Sequence, residues 1–207
     1  MRIFITVLAA FLLSNSVHAA EKFLEEMTAK ALAAGDSATI IKTLKQEASC
    51  GNVVAAMELG LMYRDGKGVA ADHVQARKYL TRAAETDLIR LWYKLGLPAA
   101  QYNLAVMLRD GVGGKADATA AAFWFEEAAE LGHVESQRVL ARMYVKGAGV
   151  TPDPERAFFW SSIAAKSLDA TEKMEMEQIR DTAQKQLEPR RLARATHSVE
   201  TWKRKIS

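Results

Sequence analysis

Residues 111–115, Gly-Val-Gly-Gly-Lys, run straight into the helix-like stretch "ADATAAAFWFEEAAELG". Glycines around a lysine ahead of a helix are the parts of a phosphate-cradling loop, whose backbone amides and lysine would hold a nucleotide's phosphates. That loop needs G-x-x-x-x-G-K-[ST] after a strand. Here Arg109 stands at the first glycine position, Ala116 replaces the hydroxyl, and the preceding residues carry a helical pattern. The same segment recurs as "DGKGVAAD" and "KGAGVTPD" without the Gly-Lys pair. The loop is therefore read as a connection in which glycine supplies backbone angles other residues avoid.

The remaining reactive side chains form no constellation. His73, His133 and His197 stand alone in loops or near helix ends, with no H-E-x-x-H and no neighbouring cysteine, and are read as solvated or capping groups. Glu126 and Glu130 sit at i, i+4 on a helix and read as solvated charge. Cys50, the single cysteine, excludes an intrachain disulfide and is expected to be buried at a helix end. No serine or cysteine has a nucleophile's local signature. No catalytic residue, cofactor site or metal site is assigned.

The elements that position these residues repeat. Loop glycines at Gly66, Gly111 and Gly147 and alanine pairs at Ala83-Ala84, Ala128-Ala129 and Ala164-Ala165 both step by 45 and then by 36 residues. Two landmarks with one spacing mark an internal repeat. Each unit reads as two helices. In the first helix, Ala56, Leu59, Gly60 and Tyr63 share a face, and the glycine loop ends it. In the second, Asp72, Asp117 or Asp153 stands at the N-cap, and Tyr79, Leu80, Ala83 and Ala84 form the apolar stripe. Met62, Met107 and Met143 share one repeat position and are assigned to packing over an adaptable binding row.

The pattern A-x-x-x-L-G-x-x-Y-x-x-G-x-G-V-x-x-D-x-x-x-A-x-x-x-x-x-x-A-A, which residues 55–84 fit throughout, resembles the Sel1-like repeat, a relative of the tetratricopeptide repeat. The second unit departs from it at Ala105, Leu108 and Gly114, and the third at Ser136 and Ala141. The resemblance implies an all-α fold, an α-α solenoid of Sel1-like helix pairs with capping helices at both ends. The expected organisation is N-terminal helices with a degenerate half repeat over 20–50, repeats over 51–96, 97–132 and 133–168, and capping helices over 169–207. Nine extra residues, Thr86 to Lys94, lengthen the second helix of the first repeat, and Leu88, Leu91 and Trp92 there need cover from the N-terminal helices or from a partner.

The first residues set an expected compartment. A positive start at Arg2, an apolar run from Ile3 to Leu13 and the small residues Val17 and Ala19 read as a secretory signal peptide over 1–19, cleaved between Ala19 and Ala20. The run is too short for a span of about 20 residues, so no transmembrane segment is expected after cleavage and the location is read as periplasmic. Cleavage removes one of the 28 Lys and Arg and none of the 25 Asp and Glu, and a chain so near neutrality argues against nucleic acid as a partner.

Partner-binding candidates follow from positions that differ between repeats, where solenoids carry specificity. Glu58, Asn103 and Val139 align with one another, as do Leu61, Val106 and Arg142; this column, read as lying opposite the core, is the expected groove. Trp92 and Tyr93 of the insertion are added. The tail from Glu188, with Arg190, Arg191 and Arg194 among its basic residues, offers a weak contact to an acidic surface. The function expected is a non-catalytic scaffold for proteins of the cell envelope. A regulator or assembly factor of one envelope system, a sensor-kinase inhibitor or a flagellar-motor component of the MotX type, is the alternative. A hydrolase similar to the cysteine-rich Sel1-like proteins associated with β-lactam binding ranks below both, since those carry a disulfide in each repeat.

Overall fold

The computed structural model describes residues 37–85 and 98–203. The expected leader, the expected first N-terminal helix and the 86–94 insertion with Trp92 and Tyr93 lie outside the described residues. Among the described residues there are nine α-helices and no strand, so the fold is all-α and of the solenoid class. The chain divides into two compact units at Ala83 and Ala84.

The first unit contains α1 (Ser37–Ser49), α2 (Val53–Asp65) and α3 (His73–Ala84). Asn52 caps α2, its side chain accepting from the amides of Val54 and Ala55 at 3.1 Å each. Such a cap contributes about 1 kcal/mol. Gly66 ends α2 in the left-handed region at φ 69°, its amide returning to the Met62 carbonyl. Leu59 and Leu80 are fully buried between α2 and α3. Gly60 permits their approach, because a Cβ there would stand 2.8 Å from Leu80 Cγ. Tyr63 and Tyr79 stack at 5.9 Å, and Lys45 Nζ of α1 lies 5.7 Å from the Tyr63 ring centroid.

The second unit contains α4 (Pro98–Asp110), α5 (Ala118–Glu130), α6 (Val134–Lys146), α7 (Pro154–Ala164), α8 (Ala170–Gln184) and α9 (Pro189–Thr201). From α4 to α8 each helix packs on the next, and α6 also packs on α8 and α7 on α9. Towards the C-terminal end, first helix thus stacks on first and second on second, α6 on α8 and α7 on α9, as in a solenoid. Phe125, Leu104, Leu140, Trp160, Ile163 and Met176 fill the interior, and Met107 and Met143 are buried with them. With Met62 also buried in the first unit, the methionine row is core.

One device closes the connection in all three repeats. The amides of Asp72, Asp117 and Asp153 donate back to the carbonyls of Tyr63, Leu108 and Tyr144 at 2.9, 2.8 and 3.0 Å. Each aspartate's side chain then caps the helix that follows. A single residue thus joins the end of one helix to the start of the next. Gly111 and Gly113, at φ 69° and 73°, sit inside this device as turn residues after a helix, so the phosphate-loop reading is excluded by the local fold.

At the far end Pro189 opens α9 and Trp202 closes it. The outer residues of α8 and α9 are predominantly polar, apart from the exposed Met174, as a terminal cap requires.

Candidate partner-binding surface

The outward side of the first helices in the second unit is a stripe at i, i+4, i+7 spacing on α4 and i, i+3, i+7 on α6. On α4 it runs Tyr102, Val106 and Arg109, on α6 Glu135, Arg138 and Arg142, and Glu172 and Glu175 of α8 continue it. The stripe is tied together by charge. Arg142 donates to both Glu175 carboxylate oxygens at 2.7 and 2.6 Å. Arg138 donates to Glu135 and Glu172 at 2.8 Å each, and lies 3.7 Å from Glu175. The bidentate Arg142 contact holds the Glu175 carboxyl below its ordinary range and raises the guanidinium in turn.

Tyr102 stands at the centre of this strip. Its ring lies 4.7 Å from that of His133 and 5.8 Å from that of Phe125. Burial raises its phenol first, with the Glu135 charge adding to it, while Arg109, Arg138 and Arg142 oppose the rise. His133 is the N-cap of α6: Nδ1 accepts from the Ser136 amide at 3.2 Å, which requires the neutral ring with its proton on Nε2. Burial lowers its pKa from 6.5 to about 4. The arrangement places guanidinium, carboxylate and phenol groups around an apolar Val106.

The sequence-predicted column is only partly this surface. Glu58 and Val139 are buried, and the expectation that they face a groove is corrected. One residue is about 100° of helix, so the position after Arg138 turns toward the packed side beside Leu140, while on α2 Met57 and Glu58 are both buried beside Leu59. Asn103 is half-buried and donates from Nδ2 to the Ala99 carbonyl at 2.7 Å. Leu61, Val106 and Arg142 are half-buried, with Arg142 held by Glu175. Arg190 is exposed, whereas Arg191 and Arg194 both reach back to Glu155 of α7 at 3.1 and 2.7 Å. The basic tail is therefore in part an internal clamp.

Two further expectations change. Cys50 is exposed instead of buried, because α1 ends at Ser49 and the chain turns outward through Gly51 at φ 90°. Glu126 is paired with Arg156, not merely solvated. Tyr102, Glu135, Arg138, Glu172 and Glu175 were not singled out by the sequence reading. Their signal is Arg138 and Arg142 at i, i+4, and Glu172 and Glu175 about one repeat further on, a register that stops being visible where the glycine loop no longer recurs. Among the described residues no group of three or more His, Cys, Asp and Glu is placed to hold a metal ion, and no helix is long and apolar enough to cross a membrane.

Comparison with known proteins gives three findings. The family model described as the Sel1 repeat matches residues 53–86, 98–133 and 134–167, together about half of the chain. The chain is 34% identical to a crystallised Sel1 repeat protein from Oxalobacter formigenes, with a TM-score of 0.56, covering 66% of this chain and 96% of that one. It is 27% identical over 163 residues to the alginate biosynthesis protein AlgK of Pseudomonas syringae pv. tomato, covering 78% of this chain but only 31% of that protein. The chain thus spans about a third of the length of that relative.

Proposed function

The chain belongs to the Sel1 repeat family, and from that premise we propose that it is an exported, non-catalytic scaffold that binds a protein of the cell envelope through the first-helix stripe of its second unit. The observation that carries this reading is the contrast between positions. Core positions repeat in kind, Leu59, Leu104 and Leu140 being one example, while outward positions diverge, as in Leu61, Val106 and Arg142. A surface that varies over a core that does not is where a repeat scaffold carries its specificity. The leader-like residues 1–19 support export and a periplasmic location.

A narrower reading is that the chain serves one envelope assembly as a dedicated factor. The relationship to a protein of alginate biosynthesis favours this over a general adaptor. Both readings are tested by photo-crosslinking in cells with probes at Val106, Arg142 and Arg194 in turn. One dominant product from Val106 and Arg142, lost when the probe moves to the exposed His73, is the expected result. Equal labelling from every position, or none from any, sinks the scaffold reading.

A further inference from the structure

Helices α5, α7 and α9 enclose a cleft of about 470 Å³ that shares no residue with the first-helix stripe. Its floor is the half-exposed Phe159 and the buried Trp160, whose rings meet edge to face at 4.8 Å. Glu126 of α5, Asp153 at the N-cap of α7 and Glu155 of α7 form its acidic rim, and Ser198 of α9 also lines it.

The chain's own cations show what this rim accepts. Arg156 lies 5.2 Å from the Tyr144 ring centroid and donates to Glu126 and to the Tyr144 hydroxyl. Arg191 and Arg194 arrive from α9 on Glu155, and Arg191 also stands 3.7 Å from Asp153. All three guanidinium groups remain about half exposed or more, at 50%, 47% and 66%. Ion pairs so exposed contribute little and exchange readily. None of the three arginines covers Phe159 fully, so an incoming cation with an apolar stem exchanges like for like at the rim and adds burial at the floor.

We propose that this cleft docks a lysine- or arginine-bearing peptide segment of a partner protein. The aliphatic stem lies on Phe159 and Trp160, and the cationic head is held by Glu126 and Asp153. An acidic ligand is disfavoured, because the four carboxylates lining the cleft outnumber the three guanidinium groups of Arg156, Arg191 and Arg194 that stand on them. The proposal does not rest on the reading of the first-helix face, since its residues are different.

The test is fluorescence anisotropy on the purified protein with a short fluorescein-labelled peptide alternating lysine and leucine. Saturable binding that falls steeply with salt is expected. Glu126→Gln and Phe159→Ala should each weaken it about tenfold, the size of a lost interface anchor, while Lys42→Ala on the exposed side of α1 leaves it unchanged. Circular dichroism confirms that the variants are folded, and the glutamine variant alone keeps the test intact if the alanine variant is not. The proposal is overturned by any of four results: no binding, equal binding of a glutamate–leucine peptide, binding indifferent to both substitutions, or binding that appears only after residues 203–207 are deleted. A neutral oligosaccharide that binds through Phe159 while the peptides do not also overturns it.

Discussion

Gly149 stands so close to Ala118 that a Cβ on it would lie 2.2 Å from the Ala118 carbonyl oxygen. The loop of the third repeat is thereby seated on the first turn of α5, the second helix of the second repeat. Gly149 also has φ +77°, so it meets two separate demands at once. Gly66 of the first unit, whose counterpart in the third repeat is Gly147, meets only one: at φ +69° the nearest atom to an added Cβ is 3.5 Å away.

Gly149→Ala is therefore expected to destabilise the second unit more than Gly66→Ala destabilises the first. The left-handed backbone alone costs about 1–2 kcal/mol, and forcing the loop off Ala118 adds roughly 1–3 kcal/mol. Urea unfolding of the two variants, followed by far-ultraviolet circular dichroism, measures the difference. Equal losses would show that the loop of one repeat does not bear on the next.

His133 makes the stability of the second unit depend on pH. Its folded pKa is lowered to about 4 from 6.5 by burial, so between those values the unfolded chain binds the additional proton. Stability then rises with pH through that window, is fully present above about 6.5 and is lost as the pH falls toward 4, by at most about 3 kcal/mol. Asn52 caps α2 at the equivalent place with a side chain that does not titrate. His133→Asn should therefore keep a cap on α6 and flatten this part of the pH profile, at a constant cost for the lost ring contact with Tyr102. Thermal unfolding between pH 4 and 7 checks it, and an unchanged slope would falsify the assignment.

These positions also show what the sequence reveals and where it stops. The three aspartates were legible as caps because each follows a glycine loop by a fixed interval, and a cap is a local event between a side chain and amides two or three residues away. Their second task, closing the loop onto Tyr63, Leu108 and Tyr144 through backbone hydrogen bonds, leaves no trace in residue type. The interior followed from periodicity for the same reason: Leu59, Leu80 and Ala83 occupy positions that any stacked helix pair must bury. Glu58 and Val139 were placed on the wrong side because polarity and variability do not reveal a rotation of about 100° on a helix. Cys50 was misplaced because exposure at a helix end depends on where the turn at Gly51 sends the chain. The arginine and glutamate network was hidden by distance along the chain, with Arg142 and Glu175 33 residues apart on α6 and α8 and no motif between them.

That network gives the last prediction. Glu175 is held low chiefly by its hydrogen bonds to Arg142, with Arg138 adding to the effect. A carboxylate with a lowered folded pKa contributes stability that is present above its unfolded pKa and disappears as the pH falls through the folded value. Arg142→Ala should thus cost about 1 kcal/mol or less near neutrality, because the pair is a third or more exposed and solvent screens it. That cost should vanish in acid, where Glu175 is protonated in variant and wild type alike. Arg138→Ala should cost more, about 1–3 kcal/mol, since its side chain is only 14% exposed and its loss leaves Glu135, Glu172 and Glu175 without their shared cation. Unfolding of the two variants and the double variant across the acid range measures both terms and their coupling. If the Arg142→Ala loss persists unchanged after the carboxylates protonate, packing of the side chain and not its charge joins α6 to α8, and the stripe is then a structural seam, not a set of exchangeable contacts for a partner.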